Sequence, residues 1–250
     1  MKMFKLFLFL ILLFFILLFI IYNNTNKIKE ENFQEIKNKP ISFLHIPKNG
    51  GMSMKKYFSE MNVKQHYNSY PNKNEINIGI IRNPITRLQS IFSHIKYRDT
   101  EIKNSNDLHN FNTLDELATA YYDKNNIHYH KAHNILDWDM VKFKNYKNLE
   151  NKNTGSCINN NNLPCIHWAP QHLYIEGHNA NVEHIMKFET LNDDIKTLQK
   201  KKILNNINFT DNKIINKTPD KYKKLTTITP ICEKLINDVY KRDIELWNQL

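Results

Sequence analysis

The sequence predicts an α/β fold, a short parallel sheet flanked by helices, preceded by an N-terminal transmembrane helix. Three observations point there. Ile41-Ser42-Phe43-Leu44-His45-Ile46 is a short apolar run that opens into Pro47-Lys48-Asn49-Gly50-Gly51, and this loop holds two of the chain's five glycines. A second apolar, β-branched run, Ile76 to Ile81, turns at Arg82-Asn83-Pro84 into a helical period. Near the start, Leu6 to Ile21 is an unbroken stretch of Leu, Phe and Ile.

The first element is the apolar stretch. Lys2 and Lys5 precede it, Tyr22 and a run of Asn and Thr follow it, and no small-residue cleavage site of A-x-A type is present. It therefore reads as an uncleaved signal anchor over 6–22, with 1–5 as a cytoplasmic tail. About sixteen apolar residues rise roughly 24 Å as a helix, which suits the thinner bilayers of the secretory pathway. Lysines before the span put the tail in the cytoplasm and the bulk of the chain in the lumen, a type II arrangement, although Lys27 and Lys29 weigh against that orientation. Residues 23–39 are polar, charged and aperiodic, a stem. Residues 40–250 have the length of one domain.

The second element is the strand at Ile41 with its glycine loop. Glycines let backbone N–H groups approach an anion, a following helix turns its positive end toward it, and Lys48 adds a movable charge. The pattern is not a Walker A loop, which needs its Lys after the second Gly and a hydroxyl for magnesium. The third element is the strand ending at Arg82. Asn83 is a natural N-cap and Pro84 a natural first helical residue. Ile85, Leu88, Ile91, Phe92 and Ile95 then recur at helical spacing as a buried stripe. Ser90 falls about two turns from Arg82, so a guanidinium and a hydroxyl can hold a second phosphate between them.

Together, His45-Ile46-Pro47-Lys48-Asn49-Gly50-Gly51-Met52-Ser53 and Arg82-Asn83-Pro84 with Arg87, Ser90 and Phe92 resemble the signature of sulfotransferases that use 3′-phosphoadenosine-5′-phosphosulfate (PAPS). In that family H-I-P-K-T-G-G-T-S wraps the 5′-phosphosulfate and R-N-P-x-x-R-x-x-S-x-F holds the 3′-phosphate. Three further segments resemble the Golgi membrane carbohydrate branch, the sulfotransferase family 2-like proteins. They are His167-Trp168-Ala169-Pro170-Gln171 through Tyr174, the stretch Val182 to Leu191 as a following strand, and the terminal Tyr240 to Trp247.

The resemblance implies a P-loop-like nucleotide-binding sulfotransferase fold over residues 41 to 250, with the donor at the carboxyl ends of the first two strands. It implies that Pro47, Lys48, Asn49, Gly50, Gly51, Met52, Ser53, Arg82 and Ser90 bind PAPS. Lys48 and His66 are the implied catalytic residues: Lys48 meets charge on the leaving phosphate, and His66 takes the acceptor's proton. The other family pattern puts a Glu after the first loop, where this chain has Lys56, with Glu60 a turn further on; His45 is a further candidate. Asn49 and Met52 depart from the family's threonines, so a hydroxyl is missing at Met52, and donor binding is expected to be weakened or altered. The implied reaction is transfer of a sulfuryl group to a glycan hydroxyl in a Golgi or other secretory lumen. A protein tyrosine acceptor is the alternative, as is a membrane-anchored glycan- or nucleotide-binding module that has lost turnover. A P-loop kinase would share the strand and loop but needs a metal-binding carboxylate where this chain has Arg82.

The remaining features narrow the partners. The formal charge of +10 fits an anionic donor and an anionic glycan. Scattered lysines, no zinc-finger spacing and a luminal address argue against nucleic acid. His128, His130 and His133 lack the one-face spacing that a zinc site on a helix requires, and no metal is expected. Cys157 and Cys165 bracket an Asn-rich loop and can close a disulfide in an oxidising lumen. Cys232 lies in the stripe Ile231, Leu235, Ile236, Val239 and Tyr240 of a helix capped by Thr229-Pro230, so it is expected in the core.

Overall fold

The computed structural model describes residues 13–27, 39–51, 54, 64–66, 74–101, 110–150, 166–177, 182–204, 222 and 224–250. Contacts divide the chain into Met1–Lys39 and Pro40–Leu250. In the first unit residues 13–27 are helical and the apolar side chains of Leu13 to Tyr22 are exposed. Among the described residues no helix is long and apolar enough to cross a membrane, and residues 6–12 of the apolar run lie outside them.

The second unit is an α/β fold around a four-stranded sheet. Strands β1 (Ile41–Leu44), β2 (Lys64–His66), β3 (Ile76–Ile81) and β4 (His184–Lys187) run parallel in the order β2-β1-β3-β4. All six residues of β3 are buried, as a central parallel strand covered on both faces requires. The pleat sorts them. Phe43, Ile78 and Ile80 pack with Met186, Ile195 and Leu198 on one face, while Leu44 and Ile81 pack with Phe143, Leu173 and Tyr174 on the other. One polar pair lies inside, with Ser42 Oγ donating to Asn77 Oδ1 between β1 and β3.

Among the described residues of this unit, eight helices are named α1 to α8. Helix α1 (Pro84–Glu101) leaves β3, and α2 (Leu114–Tyr122), α3 (Tyr129–Leu136) and α4 (Met140–Glu150) come next. Helix α5 (Gln171–Glu176) precedes β4 and α6 (Leu191–Lys200) follows it, and α7 (Pro230–Val239) and α8 (Lys241–Gln249) end the chain. The stripe Leu88, Ile91, Phe92 and Ile95 of α1 is buried with Trp168 and with Cys232, Leu235 and Ile236 of α7, whereas Ile85, expected in the same stripe, is exposed in the first turn. Thr229 caps α7 by accepting from Cys232 N, with Pro230 in the first turn. Cys232 is a buried free thiol, as its place in the stripe predicts; Cys157 and Cys165 lie outside the described residues.

Residues 64–66 form the edge strand β2, which no sequence signal foretells, with Leu44 level with His66. Because β2 and β3 flank β1 on opposite sides, the chain reverses direction across β1. The crevice at its carboxyl end is a topological switch point, where open α/β sheets bind ligands.

Candidate functional site

Two loops meet at that crevice. The first leaves β1 at His45. Asn49 N donates to Ile46 O (3.3 Å), and Met54 N to Gly50 O (3.2 Å) as a helix begins at Gly51. Lys48 has φ +68° and Gly50 has φ +82°, both left-handed. For a lysine this conformation costs about 1–2 kcal/mol, so the neighbouring contacts must hold it. The glycines are needed for close approach: a Cβ on Gly50 would come 2.5 Å from the Phe188 ring, and one on Gly51 would collide with the imidazole of His45. That imidazole also lies edge-on to Phe43, 6.2 Å between ring centres, so His45 is packed against the strand end.

The second loop leaves β3 at Arg82. Asn83 Oδ1 accepts from Ile85 N (3.0 Å) and caps α1. The Arg82 side chain turns back across the crevice. Its Nη1 donates to Lys48 O (3.2 Å), its Nε donates to Thr86 Oγ1 (3.0 Å), and its guanidinium carbon stands 4.8 Å from the Phe188 ring centre. Burial lowers its pKa from the ordinary arginine value, Glu189 opposes that shift, and Arg87 adds to it. Arg87 is buried beneath both loops. Its Nε donates to Pro47 O (3.3 Å), and its Nη2 donates to His167 O and Ala169 O (3.0 Å each).

A third segment braces the two. Gln171 Oε1 accepts from Asn49 Nδ2 (2.6 Å) and from Arg82 N (2.8 Å), while its Nε2 donates to Arg82 O (2.8 Å). Asp243, buried on α8, accepts from Gln171 N and His172 N (2.8 Å each) and fixes the start of α5. Glu189 accepts from Asn83 N (2.9 Å) and Trp247 Nε1 (3.3 Å).

The predicted site residues therefore have distinct places. Pro47, Lys48, Gly50 and Gly51 form the crevice loop and Arg82 lies across it. Asn49 is in the loop, yet its side chain points inward, with Nδ2 also donating to Ile80 O (2.7 Å). Ser90 is half-buried on α1, and its hydroxyl makes no hydrogen bond to another described residue. His66 sits at the carboxyl end of β2, beside β1. Met52, Ser53, Lys56 and Glu60 lie outside the described residues. Sequence reasoning gave no role to Gln171, Asp243, Glu189 or Phe188 beyond the resemblance of their segments. Gln171, a polar residue directly after the apolar Trp168-Ala169-Pro170, carried a signal, whereas Asp243 stands in the charged run Lys241-Arg242-Asp243 and carried none.

The crevice is cationic. His167 is held well below the usual histidine range by burial, and then by His94, Lys48, Arg87 and His45. Such a donor set suits the phosphates of a nucleotide. Among the described residues no group of three or more His, Cys, Asp or Glu could hold a metal ion. His133 instead bonds Asp137 Oδ2 (2.7 Å) and Tyr121 O (2.9 Å).

A family model described as the sulfotransferase family matches residues 31–248. No curated protein and no solved structure matches the chain. The chain belongs to the sulfotransferase family, whose chemistry is sulfuryl transfer and whose members generally use PAPS.

Proposed function

We propose that this protein transfers a sulfuryl group from PAPS to a hydroxyl of a glycan, releasing PAP, the 3′,5′-bisphosphate. The observation that carries the reading is the 3.2 Å bond from Arg82 Nη1 to Lys48 O, which joins the left-handed loop of β1 to the cation at the end of β3. PAPS supplies the activated sulfuryl group. Pro47 to Ser53 wrap its 5′ end, with Asn49 bracing the loop from inside. Lys48 meets the charge that grows on the 5′-phosphate oxygen, a form of electrostatic stabilisation that needs no movement at the moment of reaction. Arg82 and Ser90 hold the 3′-phosphate. His66 receives the proton of the acceptor hydroxyl.

A glycan acceptor is favoured by the resemblance of residues 167–175 and 240–247 to the carbohydrate branch. We further propose that the apolar run 6–21 anchors the protein in a Golgi or other secretory membrane with residues 40–250 in the lumen, a reading supported by Lys2, Lys5 and the absence of a small-residue cleavage site.

The test is transfer of labelled sulfate from PAPS to a panel of glycans and tyrosine peptides by the full chain made in a secretory host. Labelled glycan is the expected result, and Lys48→Ala should lower turnover by on the order of 10²- to 10³-fold. Label on tyrosine would reassign the acceptor. PAP binding without any transfer would leave only a binding module.

A further inference from the structure

We propose that His94 and His167 form a proton-coupled extension of the anion site, drawn into use when a 3′,5′-bisphosphorylated nucleotide binds. The inference rests on the PAPS reading above. Arg82 Nε is bonded to Thr86 Oγ1 (3.0 Å) at the start of α1, and Ser90 and His94 follow at successive turns of the same face. One row thus leads from Arg82 past Ser90 to His94, about 12 Å from Thr86 to His94. There the imidazole of His94 meets that of His167 edge-on, with ring centres 5.7 Å apart and planes at 74°. His167 is tied to the other end of the site. Its carbonyl (3.0 Å) and that of Pro47 (3.3 Å) both accept from the Arg87 guanidinium, which ties its backbone to the Lys48 loop, and Lys48 and His45 lie near enough to act on its imidazole.

The charged and titratable described groups that act on His167 are His94 and Arg87 from α1, with Lys48 and His45 from the loop. All are cations or become cations on protonation. Burial, and then His94 and the cations Lys48 and Arg87, make the His167 imidazole resist taking a proton. A phosphate dianion nearby reverses the sign: it draws a proton onto the pair, and a protonated imidazole donates from both ring nitrogens. The proton belongs to the pair and not to one ring, because groups this close titrate together.

Calorimetry on the full chain with PAP at pH 7.5, in two buffers of different ionisation enthalpy, counts the proton directly. Phosphate monoesters have a second pKa of about 6, so the ligand itself is nearly all dianion there. Net proton uptake is expected with PAP, together with tighter binding at pH 7 than at pH 8. His167→Gln and His94→Gln should each reduce the uptake and weaken PAP on the order of ten-fold at pH 7, and the double variant should abolish the uptake. A PAP complex that takes up no proton, or uptake unchanged in both variants, overturns the inference and leaves the PAPS reading intact. Failure of the wild-type protein to bind PAP sinks both. Should a variant misfold, NMR titration of the two imidazoles in the wild type reads the same proton, and midpoints that do not rise on adding PAP refute the coupling.

Discussion

Replacing Gln171 tests how the two loops are held at the crevice. Its side chain is fully buried, accepts from Asn49 Nδ2 and Arg82 N, and donates to Arg82 O. In Gln171→Ala the Asn49 amide keeps Ile80 O, but Arg82 loses the partners of both its N–H and its carbonyl. Each backbone group orphaned in this way costs about 1–3 kcal/mol, so the variant should lose about 2–6 kcal/mol. A domain of this size shifts by about 2–4 °C per kcal/mol, which puts the melting temperature about 4–24 °C lower. Thermal unfolding followed by circular dichroism measures this, and calorimetry on the folded variant should show weaker PAP binding because Arg82 is no longer fixed. Gln171→Glu refines the test. It keeps one acceptor for Arg82 N but sets a second oxygen against Arg82 O, so its deficit should ease as pH falls and the carboxyl protonates. A melting temperature within 2 °C of wild type for Gln171→Ala, with PAP affinity unchanged, would show that the bonded amide is not what holds the crevice.

Three further outcomes are expected. Arg82→Ala and Ser90→Ala should weaken PAP far more than adenosine-5′-phosphosulfate, which lacks the 3′-phosphate; charged hydrogen bonds are worth roughly 1.5–3 kcal/mol, and equal losses for both ligands would remove the assignment. Gly50→Ala adds a Cβ at φ +82° and 2.5 Å from the Phe188 ring, so it should destabilise the fold by more than the roughly 1 kcal/mol of a left-handed alanine alone, and Phe188→Leu in the same chain should recover part of the loss in a denaturant titration. His167 stays neutral in the folded protein while the unfolded imidazole titrates at about 6.5, so below that pH the unfolded chain binds the extra proton and stability falls as pH falls. His167→Gln should flatten that limb of the stability curve, and parallel curves for the two proteins would contradict the burial of a neutral ring.

Both strand–turn–helix units were legible because their signals are local. Asn83 and Pro84 mark the start of α1, Thr229 and Pro230 that of α7, and apolar spacing gives the buried faces. Edge strand β2 was not legible, because Lys64-Gln65-His66 has no apolar alternation and becomes a strand only by pairing with β1. The inward turn of Asn49 was hidden for a similar reason: its partners, Ile80 O and Gln171, are distant in sequence and meet it only in the fold. A position that resembles a ligand-facing one can serve the loop from below. Arg87 was legible as part of a motif, yet its three carbonyl acceptors belong to Pro47, His167 and Ala169, which no spacing rule connects.

The arginines also fix the orientation of the loop's peptide groups. Pro47 O is taken by Arg87 Nε and Lys48 O by Arg82 Nη1. In a trans peptide the N–H points opposite to the carbonyl, so the Lys48 N–H is turned away from Arg87, while the next N–H, that of Asn49, is taken by Ile46 O. The left-handed turn at Lys48 is what permits these two successive carbonyls to reach different guanidiniums, and the bonds offset its conformational cost. A lysine at position 87 would bring charge without the fork that spans carbonyls on both segments. The same two cations that favour an anion electrostatically thus set the backbone before any ligand arrives, and a loop already in its binding conformation loses less entropy when the anion binds.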